Sequence, residues 1–273
     1  MKRVYALAVL VSISASLFAA TSKCPSNYAN GQAPDITNTK MLSGAQELCS
    51  QGFAVGYSAL TRTPLWSAEY ITPEHMRQRK GVPRINNFHP DERLSAQDRA
   101  ELADFKAANR GLMDYEGANR ENHALDRGHM TPSADAWSAE VQNETFALSN
   151  IIPQNGNNNR QLHAGIEKAV RAYAERNGAI YVITGPIFSG SEIRWIGDQK
   201  PRVAIPTHIF KLVYDPRLNA AGAYLENNAP GAEYKEVDLN TINSLTGLSL
   251  LPNSAPRKLQ LPIPMGMQGG NDD

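Results

Sequence analysis

The hexapeptide LDRGHM, Leu125 to Met130, sets a carboxylate, a guanidinium, a glycine and an imidazole side by side. An imidazole with an unperturbed pKa of about 6.5 is largely free near neutrality to take a proton from water. A neighbouring guanidinium offers charge-assisted hydrogen bonds to an oxyanion, with a geometry that lysine lacks. The pair His129 and Arg127 therefore suits hydrolysis at an anionic centre. Taken alone, the hexapeptide also reads as a surface pair of Asp126 and Arg127, a turn at Gly128 and an exposed histidine. Gly128 reads as a turn residue in either case, and Asp126 by default as the partner of an arginine.

A second segment, NNNRQLHAGIEKAVRAYAERNG, has helical periodicity from about Asn158 to Arg176 and a stop signal at Asn177 and Gly178. Leu162, Ile166, Ala169, Val170 and Tyr173 form one apolar stripe. Asn159, His163, Glu167 and Arg171 recur at every fourth place along its margin. Ordinary amphipathicity with a Glu167–Arg171 pair accounts for that row on its own. The asparagine at its start adds another reading, because an amide oxygen is a hard, neutral ligand suited to Mg²⁺, an ion that keeps several waters. Asn159 is then the candidate metal ligand, and Glu167, about two turns on, is placed to hold a metal-bound water. One of Asn157, Asn158 and Asn159 is expected to cap the helix. His163 reads as a weaker candidate for substrate contact.

The elements that must position these groups follow from patterning. GFAVGYSALTRTPLWSAEYIT, Gly52 to Thr72, reads as two short strands, and a helix is expected over Ser95 to Ala108 with Ser95 as its N-cap. A short helix or turn is expected near Ala139 to Phe146. AIYVITGPIF and RVAIPTHIFKLVYD read as buried strands. This order of strands and helices predicts an α+β domain.

The chain of 273 residues opens with Lys2, Arg3 and an apolar run from Val4 to Ala20 followed by small residues, the pattern of a secretory signal peptide, assigned here to residues 1–22. The run is short for a membrane span, so cleavage and export, to the periplasm or outside the cell, are the expectation, with no membrane attachment afterwards. About 250 residues then remain, enough for one sizeable core. The catalytic domain is assigned to 23–251, and the Pro- and Gly-rich segment 252–273 to a flexible tail, disordered over 268–273. Cys24 and Cys49 are the only cysteines, and in an oxidising compartment a disulfide between them is the natural pairing. The 27 basic and 27 acidic residues balance, so no global field gathers polyanions. Attraction would have to come from a local patch or a bound cation.

DRGHM at 126–130, SNIIPQ at 149–154, Asn159 nine residues beyond Asn150, and then Glu167 and Arg171 together resemble the DNA/RNA non-specific endonuclease family, which has the ββα-metal fold. The resemblance implies a central, mostly antiparallel sheet flanked by helices. It implies His129 as general base, Asn159 as the Mg²⁺ ligand with Mn²⁺ as a substitute, and Glu167, Arg171 and Arg127 in catalysis. Arg84 in VPRINNF matches an upstream phosphate-contacting arginine, Arg127 and Arg171 also address phosphate, and Asn150 matches an asparagine near the site and is grouped with them as substrate-binding. The implied activity is hydrolysis of DNA and RNA with little sequence preference, since all these groups address phosphate, water or metal rather than a base edge. Two other readings stay open: an exported nucleic-acid-binding protein without turnover, and a phosphodiesterase acting on a small phosphate. The sequence also leaves homodimerisation and any inhibitor partner open.

Overall fold

Apolar side chains at every second position suit a pleated strand, and the segments that show them assemble around a single sheet. The computed structural model describes residues 22–108, 124–197 and 201–266. In chain order its principal elements are β1 (Ala45–Cys49), β2 (Phe53–Ser58), β3 (Thr63–Ile71), α1 (Pro73–Gln78), α2 (Leu102–Ala107), β4 (Leu125–His129), α3 (Ala139–Thr145), β5 (Ile151–Asn155), α4 (Ala164–Asn177), β6 (Ile180–Ile187), β7 (His208–Asp215), β8 (Ala220–Asn227), β9 (Tyr234–Val237) and α5 (Leu239–Thr246). The main sheet runs β9-β8-β7-β6-β3-β2-β1, and Arg257–Lys258 pairs with β8. Every neighbour on the main path is antiparallel, and only the Arg257–Lys258 pairing is parallel. The fold is α+β, as the sequence leads one to expect.

Two cores cover the two faces of this sheet. One collects Trp66, Ala68, Ile183, Phe210, Leu212 and Ala223 with Ile242 of α5 and Tyr28 of the N-terminal segment. The other collects Val182, Val213 and Tyr224 with Leu162, Ile166, Val170 and Ala174 from the α4 region and Met76 of α1. The apolar stripe read from the sequence is thus the face that α4 buries, with Tyr173 half-buried at its edge.

Off the main sheet, β4 and β5 form an antiparallel ribbon of their own, from Leu125 opposite Asn155 to His129 opposite Ile151. Helix follows β5 directly: a first turn at Gly156–Asn158, one π-helical turn at Asn159–His163, then α4. Two strands leading into a helix make the ββα unit that carries the site. Gly178 ends the helix with φ at +106°, a backbone region that favours glycine.

Several expectations need correction. The helix expected from Ser95 begins at Leu102, where Glu101 and Asp104 make a reciprocal cap. Ser95 serves only a turn, its hydroxyl bonded to Asp98. The α4-region cap is Asn155, which accepts from the backbone of Asn157 and Asn158, so none of the three following asparagines is needed for it. Packed chain continues past 251: Leu259 and Leu261 are buried in the α4 core, and the Met265 amide donates to the Gly165 carbonyl. Composition misled there, because prolines and glycines also suit an extended strap laid over a helix. The signal-peptide expectation lies outside the described residues except for Ser22, and the disorder expected over 268–273 lies wholly outside them. Among the described residues no helix is long and apolar enough to cross a membrane. Cys24 and Cys49 are joined, with 5.7 Å between Cα atoms, tying the N-terminal segment to β1.

Candidate active site

The DRGH residues lie in a strand rather than a turn, which changes what each can do. Arg127 and His129 are two apart on β4 and so share a face. Gly128 points the other way, where an added Cβ would lie 2.0 Å from Oε1 of Gln154. The Gln154 side chain laid across this position, not a turn, is what favours glycine. On the shared face the Arg127 guanidinium lies over the Phe88 ring at 4.0 Å from its centroid. The His129 ring sits 5.3 Å from that of Phe88 and 4.9 Å from that of Phe146. His129 is only 8 % exposed, and its Nε2 is buried without a hydrogen-bond partner. Burial, together with the positive fields of Arg84, His163 and Arg127, pushes its pKa down to about 3. The imidazole is therefore neutral throughout the physiological range, with a ring nitrogen unengaged.

Asp126 has a larger part than the expected pairing with an arginine. It takes a two-point contact from Arg160, Nε at 3.0 Å and Nη2 at 2.7 Å. Its Oδ2 also accepts from Nδ2 of Asn159 at 3.0 Å. With the amide nitrogen committed to a carboxylate, Asn159 has its carbonyl oxygen to offer elsewhere. Beside it opens a cavity of about 710 Å³ lined by Arg84, Phe88, Lys106, Arg127, Asn159 and Arg160 among others. This is a local basic patch of the kind that balanced overall charge calls for, with Asp126 the only acid among the described residues of its lining. Arg84 is exposed there, bonded to Asn86 and Ser133. A hard amide oxygen at the edge of a roomy polar cavity fits a hydrated divalent cation held by few protein ligands. Among the described residues the one three-member grouping of His, Cys, Asp and Glu is Cys24, Glu47 and Cys49, whose thiols are spent in the disulfide.

The polar row of the helix turns inward. His163 and Arg171 are buried, and Glu167 is nearly so. Arg171 donates from Nη1 to Asp135 at 2.7 Å and lies 3.8 Å from Glu167. Asp135 and Glu69 are both raised above the usual carboxylate range, chiefly by burial. Lys211, also buried, donates to Thr184 at 2.7 Å. Asn150 is fully buried and spends its amide on the backbone: Oδ1 accepts from Thr131, and Nδ2 donates to the carbonyls of Thr131 and Thr145. It fixes the chain leaving β4.

A family model described as DNA/RNA non-specific endonuclease matches residues 32–257. The chain belongs to that family. It is 30 % identical to the mitochondrial nuclease 1 of Schizosaccharomyces pombe, over 77 % of this chain and 67 % of that one. It is equally 30 % identical to the mitochondrial endonuclease G of Homo sapiens, over 79 % of this chain and 73 % of that protein. A solved structure of EndoG in complex with its inhibitor EndoGI superposes with a TM-score of 0.61 at 22 % identity, covering 74 % of this chain and 84 % of that one. The likeness confirms the fold, a ββα-metal nuclease architecture, and family membership makes the protein a nuclease.

For this endonuclease the sequence-derived residues separate into three groups. Arg84, Arg127 and Asn159 line the cavity, and His129 lies behind Phe88, which contributes to both the lining and the histidine's slot. Glu167 and Arg171 are not among its described lining residues, and Arg171 is ion-paired to Asp135 rather than presented to a phosphate. Asn150 is structural, which corrects its assignment to substrate. His163 is likewise buried and makes no surface for substrate. The sequence reading missed Glu69, Asp135, Lys211 and Glu226. The signal was available for three of them: a charged side chain inside an otherwise apolar strand, as in LWSAEYI, HIFKLVYD and AYLEN, marks a buried polar contact.

Proposed function

We propose that this protein is an exported endonuclease that hydrolyses the phosphodiester bonds of DNA and RNA with Mg²⁺, Mn²⁺ serving as a substitute. The observation that carries the reading is the junction of β4 and the helix, where Asp126 holds Asn159 and Arg160 at the edge of a cationic cavity next to a neutral, unengaged His129. Metal dependence is a property of the family. Asn159 would hold the cation directly and Glu167 through water, and the bound cation would supply Lewis acidity at a phosphoryl oxygen.

The side chains do the rest. Arg84, over the Phe146 ring, and Arg127, over the Phe88 ring, both line the cavity and suit contact with a phosphate. His129 is placed to accept a proton from the attacking water at its free ring nitrogen. Arg171 and Asp135 fix the far side of Glu167. None of these groups reads a base or requires a 2′-hydroxyl, which supports both nucleic acids as substrates. Removal of residues 1–22 and delivery to the periplasm or beyond suit the disulfide.

Purified protein incubated with closed circular plasmid and with single-stranded RNA, each with and without chelator, tests the reading. Cleavage of both that chelator stops is the expected outcome. Retarded but intact plasmid would support a binding protein, and consumption of a small chromogenic diester with plasmid untouched would support a phosphodiesterase.

A further inference from the structure

A buried hydrogen-bonded chain runs from Gln154 on β5, packed against the strand of the general base, through Asn158 and Glu226 to His163, whose far side faces the helix carboxylate Glu167. Gln154, packed against Gly128, donates to Asn158 at 2.7 Å. Asn158 donates to Oε2 of Glu226 at 3.0 Å, and the other oxygen of Glu226 receives Nδ1 of His163 at 2.6 Å. The opposite ring nitrogen, Nε2, is buried without a hydrogen-bond partner and lies 3.5 Å from Oε1 of Glu167, one turn further along. His163 is 1 % exposed and Glu226 fully buried. If filling space were the whole task, an apolar pair would serve without the desolvation cost of a buried imidazole and carboxylate. What this arrangement provides is a rigid ring, anchored from the sheet, aimed at one carboxylate of the helix.

We propose that His163, pinned through Nδ1 by Glu226, is a positioning residue for Glu167, fixing from one side the carboxylate that Arg171 and Asp135 fix from the other. The inference rests on the reading of Glu167 as the group that holds water around the cation. Its consequence is that Glu226, which is not among the described lining residues of the cavity, acts on cation affinity and turnover through two side chains. It does so without touching substrate.

A double-mutant cycle tests it, with free Mn²⁺ counted by electron paramagnetic resonance in the absence of nucleic acid and with kcat and KM measured on duplex DNA. His163→Phe keeps the ring and removes both nitrogens. It should weaken Mn²⁺ binding and lower kcat by about ten-fold each while KM holds. In a Glu167→Gln background the same change should cost under about two-fold in both, because the group it acts through is gone. An equal loss in both backgrounds, or wild-type values for His163→Phe, would overturn the proposal. Should His163→Phe fail to fold, Glu226→Gln keeps the volume and enters the same cycle, with the same dependence on Glu167 expected and the same additive or null result fatal. Wild-type protein that neither binds Mn²⁺ nor cuts plasmid overturns the nuclease reading and this proposal with it. An active, Mn²⁺-binding wild type with an additive cycle overturns this proposal alone.

Discussion

The two faces of the main sheet obey different rules. Toward α5 and the N-terminal segment, alternate residues are Trp66 and Ala68 on β3, Ile183 on β6, Phe210 and Leu212 on β7, and Ala221 and Ala223 on β8, an apolar layer throughout. Toward α4, the same strands offer Ser67 and Glu69, Thr184, Lys211 and Glu226 at one end and Ile71, Val182, Val213 and Tyr224 at the other. The register explains the clustering: Thr184 stands opposite both Ser67 and Lys211. One face stabilises the domain by removing apolar area from water, at ~25 cal/mol per Å². The other gives up part of that gain to place charges under the ββα unit. Buried polar groups there must be mutually satisfied, and the geometry of the site follows from how they satisfy one another.

If this division holds, damage to the wet face should cost turnover and damage to the dry face should cost stability. The largest effect is expected at His129. His129→Ala should lower plasmid cleavage by roughly 10³-fold or more, with circular dichroism unchanged, and wild-type turnover would remove His129 from the chemistry. On the dry face, Phe210→Ala should lose about 3–5 kcal/mol in denaturant unfolding, with the specific activity of the folded fraction kept. Loss of turnover without loss of stability there would break the comparison.

Reduction of the Cys24–Cys49 link, also on the dry side, should cost ~3 kcal/mol of stability and leave cleavage intact under native conditions. An identical melting curve with and without reductant would contradict it. At the β4–helix junction, Asp126→Ala frees the Asn159 amide to rotate and should raise the Mg²⁺ concentration needed for half-maximal activity by about 10-fold. An unchanged metal titration would count against the proposed metal site. The last effect concerns pH. The His129 pKa is about 3 in the folded protein, and its reference value in the unfolded chain is about 6.5. Unfolded chain therefore takes up the proton first as pH falls. The stability this group contributes is complete above about 6.5 and declines toward 3, by ~1.4 kcal/mol per unit. The pH-dependence of unfolding should flatten over that window in His129→Ala, and an equal slope in both proteins would refute the burial argument.

Much of the chemistry was legible because it is local. The DRGH string, the SNIIPQ string and Asn159 at the head of a helix are fixed in spacing by covalent geometry, since β4, β5 and the helix are consecutive arms of one unit. The apolar stripe of the helix and the strands 180–187 and 208–215 were legible for a similar reason, period matching element. The π-helical turn at Asn159–His163 left no mark that periodicity could detect, because it stands at the head of the helix, with no stripe before it against which a phase shift would show. The helix expected from Ser95 failed because a favourable cap residue starts a helix only where tertiary packing supports the following turn, and here Leu102 is the first residue so supported.

By itself the sequence determined the groups that the proposed mechanism sets around a phosphate: an imidazole and a guanidinium one pleat apart, and an amide at the start of the next helix. Tertiary structure alone decided which of the other polar residues serve them. Asn150 went to the backbone, Arg171 to Asp135, and Asp126 to Asn159. Glu226 came from a strand more than sixty residues away to hold His163. The reason is physical: a buried donor or acceptor must find a partner wherever the fold brings one, and that choice depends on contacts between segments whose separation along the chain carries no information about their distance in space.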